Sequence, residues 1–300
     1  MYSESDRNTI LDIFKTHHVD SNEKQDCLID YFGVVNSMAC VPHLAGRMGT
    51  VLKDPPYPSD TFRASYIEYL ALIESIDKAE GPCYQMAEIG ASYAPFAALS
   101  GKLALRSGKF EKIKLITVEA ASNGAEKIKQ NFNINGLSNA PEVELQIIKA
   151  AVSSKRQKLY FPDVDCTVDN GAMASNNNDN IDYRGQNHSF VEVDAIPLDE
   201  VIQQFDKSPK IDFLHIDIQG SEYEVVQNAV GLLNTCVKRM MIATHSRLIE
   251  GKLLDLLHVN SWNLLAEEPT QFRYNKNLKN VIGMTSHDGS MYWVNGSLLK

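Results

Sequence analysis

Four side chains able to handle protons or hydroxyl groups stand at the carboxyl ends of apolar runs. Glu88 follows Tyr84–Ala87, Glu119 follows Ile113–Val118, Asp217 follows Ile211–Ile216 and His245 follows Met240–Thr244. A carboxylate at such a position can accept hydrogen bonds from paired hydroxyls. An imidazole with its ordinary pKa, about 6.5, is neutral at pH 7 and can take a proton. In an open α/β sheet, ligands bind beyond the carboxyl ends of the strands, so parallel pairing of these runs would bring all four residues to one crevice.

The element that would organise the crevice is the stretch Glu88-Ile89-Gly90-Ala91-Ser92-Tyr93-Ala94-Pro95-Phe96. It reads as a strand end, a tight turn and a helix start. Gly90 can adopt backbone angles closed to other residues and lets a ligand approach the main chain. Pro95 suits the first turn of a helix, where its missing N–H is not needed. A dinucleotide would call for G-x-G-x-x-G, so that amides can approach a pyrophosphate. The turn offers only Gly90, so a nucleoside cofactor without phosphates, such as S-adenosylmethionine, fits better than NAD. Glu119, one βα unit downstream, is placed to hold a ribose. Neither a P-loop G-x-x-x-x-G-K-[ST] nor a G-x-S-x-G elbow occurs, which weighs against a P-loop nucleotide hydrolase and an α/β-hydrolase.

The elements around these residues change character near residue 83. Within 1–83, Ile10–Phe14 and Cys27–Phe32 read as short amphipathic helices. Pro55, Pro56 and Pro58 then break regular structure. Ser59 or Asp60 can cap a helix reaching Ile76, whose apolar residues recur at helical spacing. We read 1–83 as a helical cap or appendage, able to line an acceptor pocket or form a dimer surface. From 84 to 300, strands alternate with helices. That pattern predicts an α/β fold: a doubly wound, mostly parallel seven-stranded sheet. Strand three, about Val143–Ile148, leads into Ala150–Ser153. Pro162–Ser189 is a long polar segment rich in Asn and Asp, read as either a lid or a solvated insertion.

Composition sets the class. The 300 residues are 44% hydrophobic and 22% charged, with a net charge of -9. An acidic chain is a poor match for a nucleic-acid backbone, which calls for clustered Lys and Arg. The five cysteines are an odd number with no C-x-x-C, as expected of reduced thiols in a cytoplasmic protein. The polar N-terminus carries no signal-peptide pattern, and no apolar run approaches a membrane span.

Over roughly Gln85–Val294 the sequence resembles the FkbM family of S-adenosylmethionine-dependent methyltransferases. The resemblance is carried by Glu88–Phe96, by Val118-Glu119-Ala120 with Asn131–Gly136, by Ile211–Glu222 and by Asp288–Asn295. The third stretch, Asp217-Ile218-Gln219-Gly220-Ser221-Glu222, is the most specific. The turn lacks the second glycine common in the family, His215 stands where Lys is frequent, and Ala120 where Pro is usual. The resemblance implies O-methylation, with a small-molecule, sugar or glycan hydroxyl as acceptor. Glu88, Gly90, Ala91, Ser92, Phe96, Glu119, Ala120, Ala151 and Asp217 are then the expected cofactor contacts. His245 is the expected base, Asp217 orients the acceptor or the methionine amine or shares the base role, and Glu222 shapes the turn. His215 reads as a buried structural histidine. A divalent metal at Asp217 and His245 lacks a third ligand in the sequence and is not favoured. An NAD-type oxidoreductase and a non-catalytic binding protein on the same sheet are the alternatives, and a homo-oligomer is left open.

Overall fold

The computed structural model describes residues 6–169, 171–178, 180–205, 210–278 and 280–299. The main sheet contains β1 (Cys83–Ile89), β2 (Lys112–Glu119), β3 (Val143–Lys149), β4 (Phe213–Ile216), β5 (Arg239–Thr244), β6 (Trp262–Glu268) and β7 (Gly289–Asn295). Their order is β6-β7-β5-β4-β1-β2-β3. β3, β2, β1, β4 and β5 pair in parallel, while β7 runs antiparallel to both β5 and β6. The order reverses at β1 and β4, so the crevice of the topological switch lies at the ends of these two strands.

Apolar runs that continue without polar alternation form the sheet because both of its faces are covered. In β1, Tyr84 and Met86 join one apolar cluster while Ala87 and Ile89 join the other, as period-two side chains must. The first cluster packs α1 (Arg7–Thr16), α2 (Tyr66–Asp77) and α3 (Pro95–Ser107) on the sheet, and α4 (Gly124–Ile134) joins it through Ile128 and Phe132. The second is covered by α5 (Leu198–Ile202), α6 (Glu222–Cys236) and α7 (Arg247–Val259). The segment before β1 is therefore built into the same core as the sheet: Ile10, Phe14, Phe32 and Leu70 are buried in one cluster with Met86 and Phe213.

Two local expectations differ from the structure. Cys27–Phe32 is not helical: Cys27–Ile29 is a buried strand paired with Val35–Ser37 and Thr50–Val51. The Asp30 carboxylate accepts the N–H groups of Phe32 and Val34, and Gly33 adopts a left-handed φ of 79°, which turns the chain back. A short apolar run cannot by itself distinguish strand from helix. The second difference is the start of α2, at Tyr66 rather than after Ser59 or Asp60. Asp60 instead ties a turn by accepting the N–H groups of Phe62, Arg63 and Ala64.

The long polar segment connects two antiparallel strands, Gln157–Pro162 and Phe190–Pro197. Ala151–Ser153 pairs in parallel with the second of them. Of the Asn/Asp-rich run, Asp179 lies outside the described residues. Among the described residues no helix is long and apolar enough to cross a membrane.

Candidate active site

A cavity of about 590 Å³ opens beyond the carboxyl ends of β1, β2 and β4. Its floor is the β1–α3 turn. Gly90 has φ 77°, and a Cβ there would overlap the carbonyl oxygen of Asp217 on the neighbouring strand. The Gly90 and Ala91 N–H groups donate to Val118 O at 2.9 and 3.0 Å, which pins the turn to β2. Ser92 and Ala94 also lie in the left-handed region, with φ of 50° and 56°. This turn thus takes its curvature without the second glycine, at an expense of about 1–2 kcal/mol for each such residue.

Glu88 is buried, and its two oxygens accept the N–H groups of Phe96 (3.3 Å) and Ala97 (2.6 Å), so it caps the first turn of α3. Burial pushes its pKa up to about 7 against the pull of His215 and these two amides. Glu119 bridges two loops: Oε2 accepts Ser92 N–H at 2.6 Å and Oε1 accepts Ala121 N–H at 2.7 Å. Each oxygen retains a lone pair for a further donor. Burial raises the Glu119 pKa, with the backbone donors opposing the rise. A Cβ on Gly124 would overlap the Glu119 side chain, so α4 can begin this close to the acid only with glycine there.

On the far wall the Phe96 ring stacks on the His215 imidazole, with centroids 4.3 Å apart. His215 Nε2 lies 3.0 Å from Glu68 Oε2 of α2. Burial opposes a charge on His215, but Glu68, Glu88 and Asp217 outweigh it and raise its pKa. The segment before β1 also supplies Arg63 and Ser65 to the lining.

The Asp217 and Asp288 carboxylates face the cavity, and His245 lies behind them. Its Nε2 is 3.4 Å from Asp217 Oδ1 and 3.9 Å from Asp288 Oδ2. Its Nδ1 is 2.8 Å from Oε1 of the fully buried Glu222, which also accepts Gly220 N–H. Burial lowers the His245 pKa, yet Glu222, Asp217 and Asp288 outweigh it and push it up to about 10. The imidazole anticipated as neutral from the sequence thus sits among three carboxylates that favour its protonated form.

Glu88, Gly90, Ala91, Ser92, Phe96, Glu119, Ala120, Ala151 and Asp217 all line the one cavity, whereas His245 is one layer removed. Sequence reasoning missed Glu68, Asp288 and the Glu222–His245 pair. Asp288 sits inside a motif stretch and could have been singled out there, and Glu222, assigned to shaping the turn, was not connected to His245. Glu68 carries no motif and reaches the site only through the packing of α2. Among the described residues no group of His, Cys, Asp and Glu side chains is arranged to hold a metal ion.

The sheet order and the cavity at the switch of β1 and β4 define a doubly wound, Rossmann-like fold with its site at the switch point. The sequence profile of the Methyltransferase FkbM domain matches residues 88–262. A "Putative methyltransferase" of Jannaschia sp. (strain CCS1) is 30% identical over 217 residues, covering 71% of this chain and 74% of that protein. The chain belongs to the FkbM methyltransferase family. Among solved structures, precorrin-6y C5,15-methyltransferase from Geobacter metallireducens GS-15 aligns with 8% identity and TM-score 0.41, over 78% of this chain and 90% of that one. The ribosomal protein L11 methylase from Lactobacillus delbrueckii subsp. bulgaricus aligns with 10% identity and TM-score 0.37, over 76% and 79%.

Proposed function

We propose that this methyltransferase moves a methyl group from S-adenosylmethionine to a hydroxyl of a sugar, glycan or natural-product acceptor. The observation that carries the reading is the charge of the cavity. Asp60, Glu68, Glu88, Glu119, Asp169, Asp217, Glu268 and Asp288 line it. Among the described lining residues Arg63 is the only Lys or Arg, and Asp30 and Asp60 already pair with it. A pyrophosphate would find no unpaired Lys or Arg among the described lining residues, which argues against a dinucleotide. A phosphate-free cofactor carrying a sulfonium and an ammonium suits an acid-lined site.

The residues fit such a cofactor. Gly90, Ala91 and Ser92 line the cavity where a methionine moiety would lie, Glu119 has lone pairs for ribose hydroxyls, and Ala120 and Ala151 add small apolar lining. When bound, S-adenosylmethionine supplies an electrophilic methyl group. The protein must align an acceptor oxygen and accept its proton. Asp217, which faces the cavity, takes that proton. His245 holds positive charge beside it, and Glu222 fixes the ring through Nδ1. A cationic His245 cannot be the first proton acceptor at neutral pH, so the base role assigned to it from the sequence passes to Asp217.

The test is transfer of a labelled methyl group to a panel of hydroxylated acceptors, with the product identified by mass spectrometry. We expect a methyl ether, with turnover reduced about 100-fold or more in Asp217→Asn. Labelling confined to nitrogen or carbon acceptors would overturn the O-methyl assignment.

A further inference from the structure

Asp217 has two neighbours competing for one oxygen. Gln219 Nε2 donates to Asp217 Oδ1 at 3.0 Å, whereas His245 Nε2 stands 3.4 Å away and makes no hydrogen bond among the described residues. A charge-assisted hydrogen bond is normally shorter and stronger than one from a neutral amide. The carboxylate is thus held toward an amide while the buried Nε2 of His245 beside it has no hydrogen-bond partner among the described residues. Gln219 is itself fixed at both ends. Its backbone is left-handed, with φ 52°. Its Oε1 lies 3.2 Å from the Tyr183 hydroxyl, which shares its proton with the Gly171 carbonyl at 3.0 Å.

Tyr183 and Gly171 both belong to the long segment between the strands Gln157–Pro162 and Phe190–Pro197. That segment reaches the same turn a second time, with Met173 Sδ at ordinary van der Waals distance from where a Cβ on Gly220 would stand. Its remaining anchors lie elsewhere. Arg184 pairs with Asp169 and Asp182, Lys127 pairs with Asp165, and Ser92 Oγ donates to Cys166 O at 2.8 Å. The segment therefore has anchors that do not involve the Tyr183 hydroxyl.

We propose that Gln219, oriented by Tyr183, is a positioning residue that transmits docking of the 163–189 segment to the Asp217 carboxylate. With the segment docked, the amide is held with its N–H toward Asp217, and the carboxylate stays directed at the cavity. Without the Tyr183 contact the amide turns away, and the Asp217 carboxylate loses the donor that stabilises its charge. The inference rests on the reading of Asp217 as the acceptor-facing base, and it gives the long polar segment a role in setting that base. The other charged groups facing Asp217 are His215, Glu68, Glu222 and Glu119, together with Asp288 across His245.

The test follows the Asp217 carboxyl by carbon-13 NMR titration of the full chain, with the resonance assigned by Asp217→Asn, alongside hydrogen exchange across 171–188. Gln219→Leu removes the donor, so the Asp217 midpoint should rise by roughly one unit. Gln219→Glu separates the two halves of the relay: it still accepts from Tyr183 but cannot donate to Asp217. It should raise the midpoint at least as much as Gln219→Leu while leaving exchange protection of the segment intact. Tyr183→Phe should lower that protection and move the midpoint in the same direction by less. An unchanged Asp217 midpoint in both Gln219 variants would overturn the proposal. S-adenosylhomocysteine binding is measured on the same samples: its absence in the wild type would defeat the cofactor reading and leave the titration result standing on its own.

Discussion

At the scale of single residues, the site is governed by carboxylates whose hydrogen bonds are already committed. Glu119 holds two loops by their amides and faces the cavity at the same time. Glu119→Ala should lower stability by about 1–3 kcal/mol, because two N–H groups lose their acceptor. It should also weaken S-adenosylhomocysteine roughly tenfold or more by calorimetry; unchanged affinity would remove the ribose assignment. His245 gives a pH signature. Its folded pKa, about 10, lies above its ordinary value of 6.5. Its contribution to stability is therefore complete below about pH 6.5 and is lost as the pH rises through about 10. In urea unfolding, the stability difference between wild type and His245→Gln should shrink steadily over that window. A difference that stays constant from pH 6 to 10 would show that the imidazolium is not held by Glu222 and its neighbours.

At the scale of elements, the β1–α3 turn bears the closest contact in the site. Gly90→Ala adds a Cβ where the Asp217 carbonyl stands, at a left-handed φ. The left-handed penalty alone is about 1–2 kcal/mol, and the overlap adds to it, so thermal unfolding should shift down clearly and cofactor affinity should fall with it. Wild-type behaviour would mean that β1 and β4 do not approach this closely. This turn was legible in the sequence because glycine and proline mark strand ends and helix starts locally. The strand ends were legible because doubly covered strands read as unbroken apolar runs. Other features were not. Glu222 and His245 are 23 positions apart and meet only because β4 and β5 are neighbours. The His245 charge could not be read from its ordinary pKa, since three acids reach it from separate elements. The Cys27–Ile29 strand is too short for its period to be seen.

At the scale of the whole molecule, the segment before β1 and the sheet share one core and one cavity. Tyr292 of β7 donates to Glu74 of α2 at 2.9 Å, and Glu68 of the same helix meets His215 of β4. The chain should therefore unfold in urea as one unit. Fluorescence of Trp262 and Trp293 in the sheet should report the same midpoint as a probe placed on α1, and separated midpoints would show an independently folding segment. Glu68→Ala should reduce turnover in the methyl-transfer assay, because Glu68 holds His215, whose ring stacks on Phe96 at the end of the glycine turn; wild-type turnover would show that this contact does not shape the site. The FkbM profile begins at residue 88, so Glu68, Arg63 and Ser65 come from outside the matched domain. The central claim, that the acid-lined cavity over Gly90 holds a phosphate-free sulfonium cofactor, is tested most directly by calorimetric titration with S-adenosylhomocysteine and, in parallel, NADH. The account predicts one-to-one binding of S-adenosylhomocysteine and none of NADH; binding of NADH alone, or of neither, would contradict it.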